Sequence, residues 1–392
     1  MALSQEVRRP GPFNGRSRWD AIVVGCGVMG SSVTYNLARK GIRTLNIERF
    51  GVNHEFGSSH GQTRIIRLAY YEDPRYVPLL RRAFDSWREA ESRSGKKLLL
   101  MTGGLMVGRS DGALVKGVLK SAAAHGIPHE VLSAREAQDR FRAFSLTDEF
   151  EAVYERNAGV LFAEESVRAF VGLGSEAGAE FRFSEEVKGW KAGADSVEVE
   201  TSLGRQTAPR LILCAGAWNG RLLGGAIPLQ CERQVPFWFS SGGKEVFTAP
   251  KMPVFIMEET ADSYYYGIPE LGHGVKVART HGGEMGDPDK VRREVTEADV
   301  GPVRDFVAKR LTGLDSVPIA STTCLYTNTP DLNFVVGPLP GEPKVTVVSA
   351  CSGHGFKFAS VMGEIAANVS AGEKAGYDIG FLSPDRFRTK QN

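Results

Sequence analysis

The sequence predicts an α/β fold in two parts, one of which is discontinuous along the chain. Three observations carry that prediction. Residues 20–50 read as strand, glycine turn, helix and strand in that order. Long inserts with strand-like alternation follow. A second glycine-rich turn, Ser352-Gly353-His354-Gly355, opens a helical stretch late in the chain. At about 150 residues per domain, 392 residues suggest two or three domains, large enough for a core that needs no staples.

Ala21 to Val24 are a short apolar run, the pattern of a buried strand. Gly25-Cys26-Gly27-Val28-Met29-Gly30 follows, then Val33, Leu37 and Ala38 at helical spacing, with Gly41 as a stop. Ile42 to Ile47 form a second strand ending at Glu48. This is a βαβ unit with G-x-G-x-x-G in its turn and an acid after the second strand, a Rossmann-type dinucleotide site. Gly25 permits the tight turn, Gly27 lets a pyrophosphate approach the backbone, and Gly30 lets helix and strand pack closely. Glu48 suits a ribose and disfavours a 2′-phosphate. The alternative is a glycine-rich turn with a purely structural role.

Further on, Tyr76 to Arg93 has helical periodicity, and Gly103 to Val107 reads as a strand. Ala122 to Ala137 holds a short helix, a turn and a strand. Asn157 to Phe162 is a turn into a strand, and Val167 to Leu173 a helix. Val197 to Thr201 alternates, and Arg210 to Trp218 is a buried strand ending in small residues, where a ligand can lie on the backbone. Residues 231–290 are strand-like and aromatic, and 291–311 read as charged helices. The expected division is a loose leader over 1–18, a dinucleotide part over 19–80, 150–225 and 320–392, and a sheet-rich α+β substrate part over 81–149 and 226–319.

Composition narrows the function. With 48 basic and 46 acidic residues the net charge is +2, which excludes a strongly basic nucleic-acid binder and an acidic disordered tail. Hydrophobic residues at 42% and charged residues at 24% are ordinary for a globular chain. The 45 glycines exceed the usual share of roughly 7% and direct attention to backbone near a ligand. Cys26, Cys214, Cys231, Cys324 and Cys351 contain no C-x-x-C pair, so neither a disulfide framework nor a metal site is expected, and a reducing, cytoplasmic setting fits. No apolar run approaches 18 residues, so no membrane span is expected. The first residues lack a signal-peptide core, and the last three are not a peroxisomal address.

Four segments can carry chemistry. Ser58 to Arg67 places His60, Thr63, Arg64 and Arg67 in a small polar loop, and arginine forks suit carboxylates and phosphates; the alternative is surface arginines. In Tyr264-Tyr265-Tyr266 alternation puts the outer two on one face and Tyr265 on the other. Lys276 lies between Val275 and Val277 on a strand, unusual for a lysine unless it is paired or functional. Gly353 and Gly355 precede Lys357 in a turn where N–H groups can meet a ligand. Cys324, in Thr323-Cys324-Leu325-Tyr326-Thr327-Asn328-Thr329-Pro330-Asp331, reads by itself as a small core residue.

Together GCGVMG…IER, GSSHGQTRIIR, AGAWN, YYYGIP…VKV, TTCLYTNTPD and SGHGFKF closely resemble the monomeric sarcosine oxidase family, which includes N-methyltryptophan and pipecolate oxidase-like flavoenzymes. The resemblance runs from about Asp20 to about Phe381. It implies a fold of the D-amino acid oxidase and glycine oxidase type, with FAD on Gly25, Gly27, Gly30, Glu48, Thr63, Gly353 and Gly355. It also implies a covalent bond from Cys324 to the flavin. Arg64 and His60 would lie against the flavin, with Arg67 and Lys357 holding the substrate carboxylate. Tyr266, Tyr326 and Met257 would line the substrate site, and Lys276 would activate oxygen.

The implied activity is oxidation of a secondary amino acid, with O2 as acceptor and peroxide as product, by a monomer without nucleic-acid or membrane partners. Bulkier amines such as N-methyltryptophan, pipecolate or fructosyl amino acids are alternative substrates. A non-catalytic FAD-stabilised subunit, or a dehydrogenase serving a partner protein, are alternatives of another class. The family's pocket histidine falls on Thr280. His281 is one place later, where strand alternation reverses the face and gives it no expected role. Tyr264 and His273 also differ from the small-substrate members.

Overall fold

The computed structural model describes residues 18–349 and 351–388. Apart from Arg18, the expected leader lies outside the described residues.

The first layer is a six-stranded sheet in the order Val335–Leu339, Glu342–Ser349, Arg210–Leu213, Ala21–Val24, Thr44–Ile47, Glu180–Arg182. Ala21–Val24 pairs in parallel with both neighbours, and Arg210–Leu213 in parallel with Glu342–Ser349. Strands buried on both faces account for the unbroken runs AIVV and RLIL. Helix Val28–Ala38 packs on one face beside Ala163–Glu176 and Ala359–Ser370. Close approach there depends on two glycines. A Cβ on Gly30 would lie 1.9 Å from the Gly25 carbonyl oxygen, and one on Gly363 would lie 2.1 Å from Ser32 Oγ. The other face is covered by the antiparallel sheet Val187–Ala192, Val197–Thr201, Gly204–Ala208, which buries Val197, Val199 and Ala208 against Ile22, Val24 and Leu45.

The second body is an eight-stranded sheet in the order Pro318–Ser321, Phe237–Phe239, Val275–Thr280, Ser263–Ile268, Val254–Thr260, Gly104–Arg109, Phe150–Glu155, Glu130–Ser133. It is antiparallel except where Val254–Thr260 meets Gly104–Arg109. Helix Glu297–Arg310 backs it, with Phe306 stacked on Tyr265 at 4.1 Å between centroids. The charged stretch 291–311 thus forms one helix rather than several. Ala122–Ala137 spans the end of helix Ala113–His125, strand Glu130–Ser133 and the start of helix Ala134–Arg140.

Two boundaries expected from sequence fall inside this architecture. Phe150–Glu155, which begins at position 150, pairs within the eight-stranded sheet. Helix Val77–Ser94 runs across position 80 and packs on Ala359–Ser370. Two three-stranded sheets join the bodies. One is Met285–Gly286, Gln230–Gln234, Cys324–Asn328, and the other Thr63–Ile66, Gly159–Phe162, Leu99–Met101. Among the described residues no helix is long and apolar enough to cross a membrane.

Candidate active site

A single cavity of about 900 Å3 runs from the glycine turn to the inner face of the eight-stranded sheet. At one end, the turn fits a dinucleotide. Gly25 has φ +95°, and a Cβ there would meet the Cys214 carbonyl at 2.6 Å. Gly27 caps helix Val28–Ala38 with no side-chain hydrogen bond, so the helix N-terminus is available to an anion. One of its groups, Val28 N, donates to Ser59 Oγ at 3.0 Å. Glu48 is fixed in the wall, its two oxygens accepting from Cys26 N at 2.6 Å and Phe50 N at 2.8 Å. The residues present therefore match what a dinucleotide with an unphosphorylated ribose requires.

Gly353 and Gly355 line the far side of the same cavity. Gly353 has φ +78°, and a Cβ there would stand 2.7 Å from the Tyr326 ring. Gly30 lies behind the turn and acts through packing. Thr63 is buried and contributes its carbonyl, to Arg64 Nη1 at 2.7 Å and Lys276 Nζ at 3.0 Å.

Arg64 is held by the carbonyls of Thr63, Ser58 and His60, each at 2.7 Å, and brings Nη2 to 3.8 Å from Cys324 Sγ. Cys324 and Tyr326 share a face of strand Cys324–Asn328 and both line the cavity. His60 is buried, and its Nε2 finds no partner among the described residues. Burial, then the charge on Arg64, lowers its pKa to about 3, so its ring is neutral. Lys276 is 1% exposed. Its Nζ donates to the Gly61 carbonyl at 2.7 Å and to Thr63, and lies 5.2 Å from the Trp238 ring centroid. Neither bond reaches a carboxylate. Burial first, and Arg64 second, push its pKa well below the ordinary lysine value.

The other end of the cavity is cationic and aromatic. Arg67, 2% exposed, grips Glu72 with Nη2 at 2.7 Å to both oxygens and gives Nη1 to the Ala69 carbonyl at 2.7 Å. Its Nε finds no partner among the described residues. Lys357 gives Nζ to the His354 carbonyl at 2.7 Å, and burial, then Arg67, lowers its pKa to about 7. Burial alone would raise Glu72, but Arg67, His354 and Lys357 hold it below its usual value. Tyr266 and Tyr326 line the space between, with burial raising Tyr266 to about 12. Tyr264 and Tyr266 face the cavity, while Tyr265 turns to the core behind, as alternation predicts. Tyr264 stacks on Tyr71 at 6.1 Å and donates to Glu258 at 3.2 Å.

Two positions differ from expectation. Met257 pairs with Tyr265 and is fully buried in the aromatic core behind the sheet. Ile256, opposite Tyr266, is the side chain that lines the cavity. His281 does face the cavity. It follows the last strand residue with φ +61°, a left-handed turn that cancels the expected reversal. Its Nδ1 lies 2.9 Å from Glu232 Oε2, and its ring meets Tyr326 edge-on at 5.4 Å. Sequence reasoning missed Glu72 and Glu232. A charged residue inside Gln230–Gln234, a buried strand, was the available signal for the second.

Residues 20–369 match the DAO family, described as FAD dependent oxidoreductase. The chain is 38% identical to the monomeric sarcosine oxidase of Streptomyces avermitilis over 94% of this chain and 97% of that protein. It is 32% identical to the N-methyl-L-tryptophan oxidase of Yersinia pestis over 94% and 100%. In shape it is similar to NikD, an unusual amino acid oxidase essential for nikkomycin biosynthesis, with TM-score 0.83, 24% identity and coverage of 93% and 97%. A glycine oxidase from Geobacillus kaustophilus superposes with TM-score 0.80 at 16% identity, covering 95% and 100%. These two likenesses concern the fold alone. With the cradle for a dinucleotide in place and the match extending over nearly the whole length, the chain belongs to the DAO family of FAD dependent oxidoreductases, alongside the monomeric sarcosine oxidases.

Proposed function

We propose that the protein oxidises a secondary amino acid of sarcosine type at its C–N bond, giving an imine that water hydrolyses and hydrogen peroxide from dioxygen. The observation that carries this is the cationic corner. Arg67 and Lys357 are both buried in the wall of the cavity that holds the glycine cradle, and the Arg67 fork already binds a carboxylate, that of Glu72. With Lys357 protonated, two buried cations stand beside one carboxylate, a charge imbalance that an anionic group of the substrate offsets. The substrate's apolar part then lies among Tyr266, Tyr326 and Ile256, which exclude water from the reacting carbon.

FAD bound in the cradle supplies the two-electron acceptor and the reactivity toward oxygen. Cys324, opening into the cavity 3.8 Å from Arg64, is positioned for a covalent link to it. Arg64, and Lys276 once it is protonated, supply positive charge where an anion forms during oxygen reduction. His60 stays neutral beside them. The reading includes a monomer acting in the cytoplasm on a free amino acid. The 38% identity to a monomeric sarcosine oxidase supports the monomer.

The experiment is a peroxide assay with sarcosine, an N-methyl aromatic amino acid, pipecolate and a glycated amino acid, beside anaerobic flavin bleaching by each. Peroxide stoichiometric with one of the four is expected. Bleaching without peroxide, relieved by an artificial acceptor, would identify a dehydrogenase instead. No bleaching by any of them would overturn the reading.

A further inference from the structure

Behind the cavity wall that His281 lines stands a buried carboxylate that the function above does not use. Glu232 is 1% exposed. Its Oε1 accepts from Gln234 Nε2 at 2.7 Å and Gly283 N at 2.9 Å, and its Oε2 accepts from Asn328 Nδ2 at 2.5 Å. Three such donors stabilise the ionised carboxylate. Although burial opposes it, these bonds and His281 hold Glu232 below its usual value.

An ionised carboxylate only accepts, so His281 Nδ1, 2.9 Å away, carries the hydrogen. The lone pair of the neutral ring is then on Nε2, on the side of the ring away from Glu232. The ring itself lines the cavity beside Tyr326. His281 reaches this position through a left-handed backbone turn, φ +61°, a conformation that costs on the order of 1 kcal/mol outside glycine.

We propose that His281 Nε2 receives the proton of the bound substrate's ammonium group, with Glu232 holding the imidazole in register. The inference rests on the amine-oxidation reading and deepens it. A secondary amino acid in neutral water is a zwitterion, whereas loss of a hydride from carbon requires the nitrogen lone pair. Arg67, Lys357 and His281 line the same cavity, so a substrate whose carboxylate is drawn to the first two can turn its ammonium toward His281. One N–H bond of the ammonium breaks, and the electron pair stays on the substrate nitrogen. A new N–H bond forms at Nε2, no oxidation state changes, and the imidazolium is neutralised by Glu232.

The other groups around His281 do not compete for this role. On its own strand Arg279 is a cation, with its guanidinium beside Gly282. On strand Cys324–Asn328, Tyr326 is half-buried and its pKa lies well above the ordinary value, through loss of solvation and then Tyr266. Beyond the turn, Glu284 is paired with Arg292. Arg233, on the opposite face of its strand from Glu232, is paired with Asp299 at 2.5 Å.

The test uses holoenzyme, His281→Gln, Glu232→Gln and anaerobic rapid mixing with sarcosine from about pH 6 to about pH 10. Glutamine at 281 can still donate to Glu232 but takes no proton. The midpoint of reduction rate against pH should move upward by about one pH unit or more in both variants. Rates should converge to within roughly threefold at the alkaline end, where the amine is already free. Methylthioacetate, which keeps the carboxylate but has no nitrogen, should perturb the flavin absorbance with a Kd within about twofold of wild type, because the clamp is intact. An unmoved midpoint in both variants, an equal loss at every pH, or lost methylthioacetate binding would each overturn the proposal while wild-type reduction stands. If no secondary amine reduces the wild type, the amine-oxidation reading falls and this inference with it.

Discussion

Replacing Lys357 with Met should make the protein more stable near neutral pH while weakening its grip on substrate. The lysine sits in a place that disfavours its charge. Burial and Arg67 lower its pKa from 10.5 to about 7. That gap corresponds to about 5 kcal/mol at roughly 1.4 kcal/mol per pH unit. The sign follows from proton binding. Between the two values the unfolded chain holds a proton that the folded chain lacks, so folding is penalised as pH falls from 10.5 toward 7, and the penalty is constant below that. It amounts to about 4 kcal/mol at pH 7, about 2 kcal/mol at pH 9 and near zero above pH 11.

Met keeps the bulk of the stem but forfeits the bond to the His354 carbonyl, worth about 1–1.5 kcal/mol. A net gain of about 2–3 kcal/mol at pH 7 remains, shrinking and then reversing as pH rises. Urea unfolding of holoenzyme and variant at several pH values reads it, and the Kd of a non-oxidised carboxylate ligand should rise about tenfold or more. A variant that is less stable than wild type by the same amount at every pH would refute the reasoning, since Lys357 would then be carrying its charge at no cost.

Three further outcomes are expected. After acid precipitation the yellow colour should stay with the protein pellet and move to the supernatant in Cys324→Ala; free FAD in the wild-type supernatant would count against a covalent link. Lys276→Met should slow flavin reoxidation by dioxygen by orders of magnitude while anaerobic reduction suffers much less; equal losses in both half-reactions would assign Lys276 to the fold instead. Met257→Ala should cost about 2–5 kcal/mol in stability with KM little changed, whereas Ile256→Ala should alter KM with a smaller stability loss; the reverse pattern would mean that the two faces of this strand are exchanged.

What was legible in the sequence was short-range. The βαβ unit and the tyrosine alternation are encoded within a few residues, where periodicity and turn chemistry decide the outcome. Met257 was misjudged because alignment to a resembling family fixes position only to within a residue, and one residue on a strand exchanges the faces; the strand has a register shift between Glu258 and Thr260. His281 was misjudged for the converse reason. Alternation holds only while the backbone stays extended, and a left-handed residue ends it at that position. The partners that set the electrostatics, Glu72 on Arg67 and Glu232 on His281, were invisible in different ways. Glu72 is near in sequence but carries no signature, and Glu232 is brought to His281 by a separate sheet.

The six-stranded sheet has a consequence for biosynthesis. Its central strand Ala21–Val24 is made early, its neighbour Arg210–Leu213 much later, and that strand's own partner Glu342–Ser349 later still. At about 5–20 residues per second, roughly 15–60 s separate the first of these from the last on the ribosome. Until Arg210–Leu213 emerges strand AIVV has one sheet edge unpaired, and from then until Glu342–Ser349 emerges strand RLIL has one, each a template for the wrong partner. A nascent chain of this architecture should therefore depend on chaperone cover until residues near 350 have emerged, and fragments that stop short of them should aggregate rather than fold.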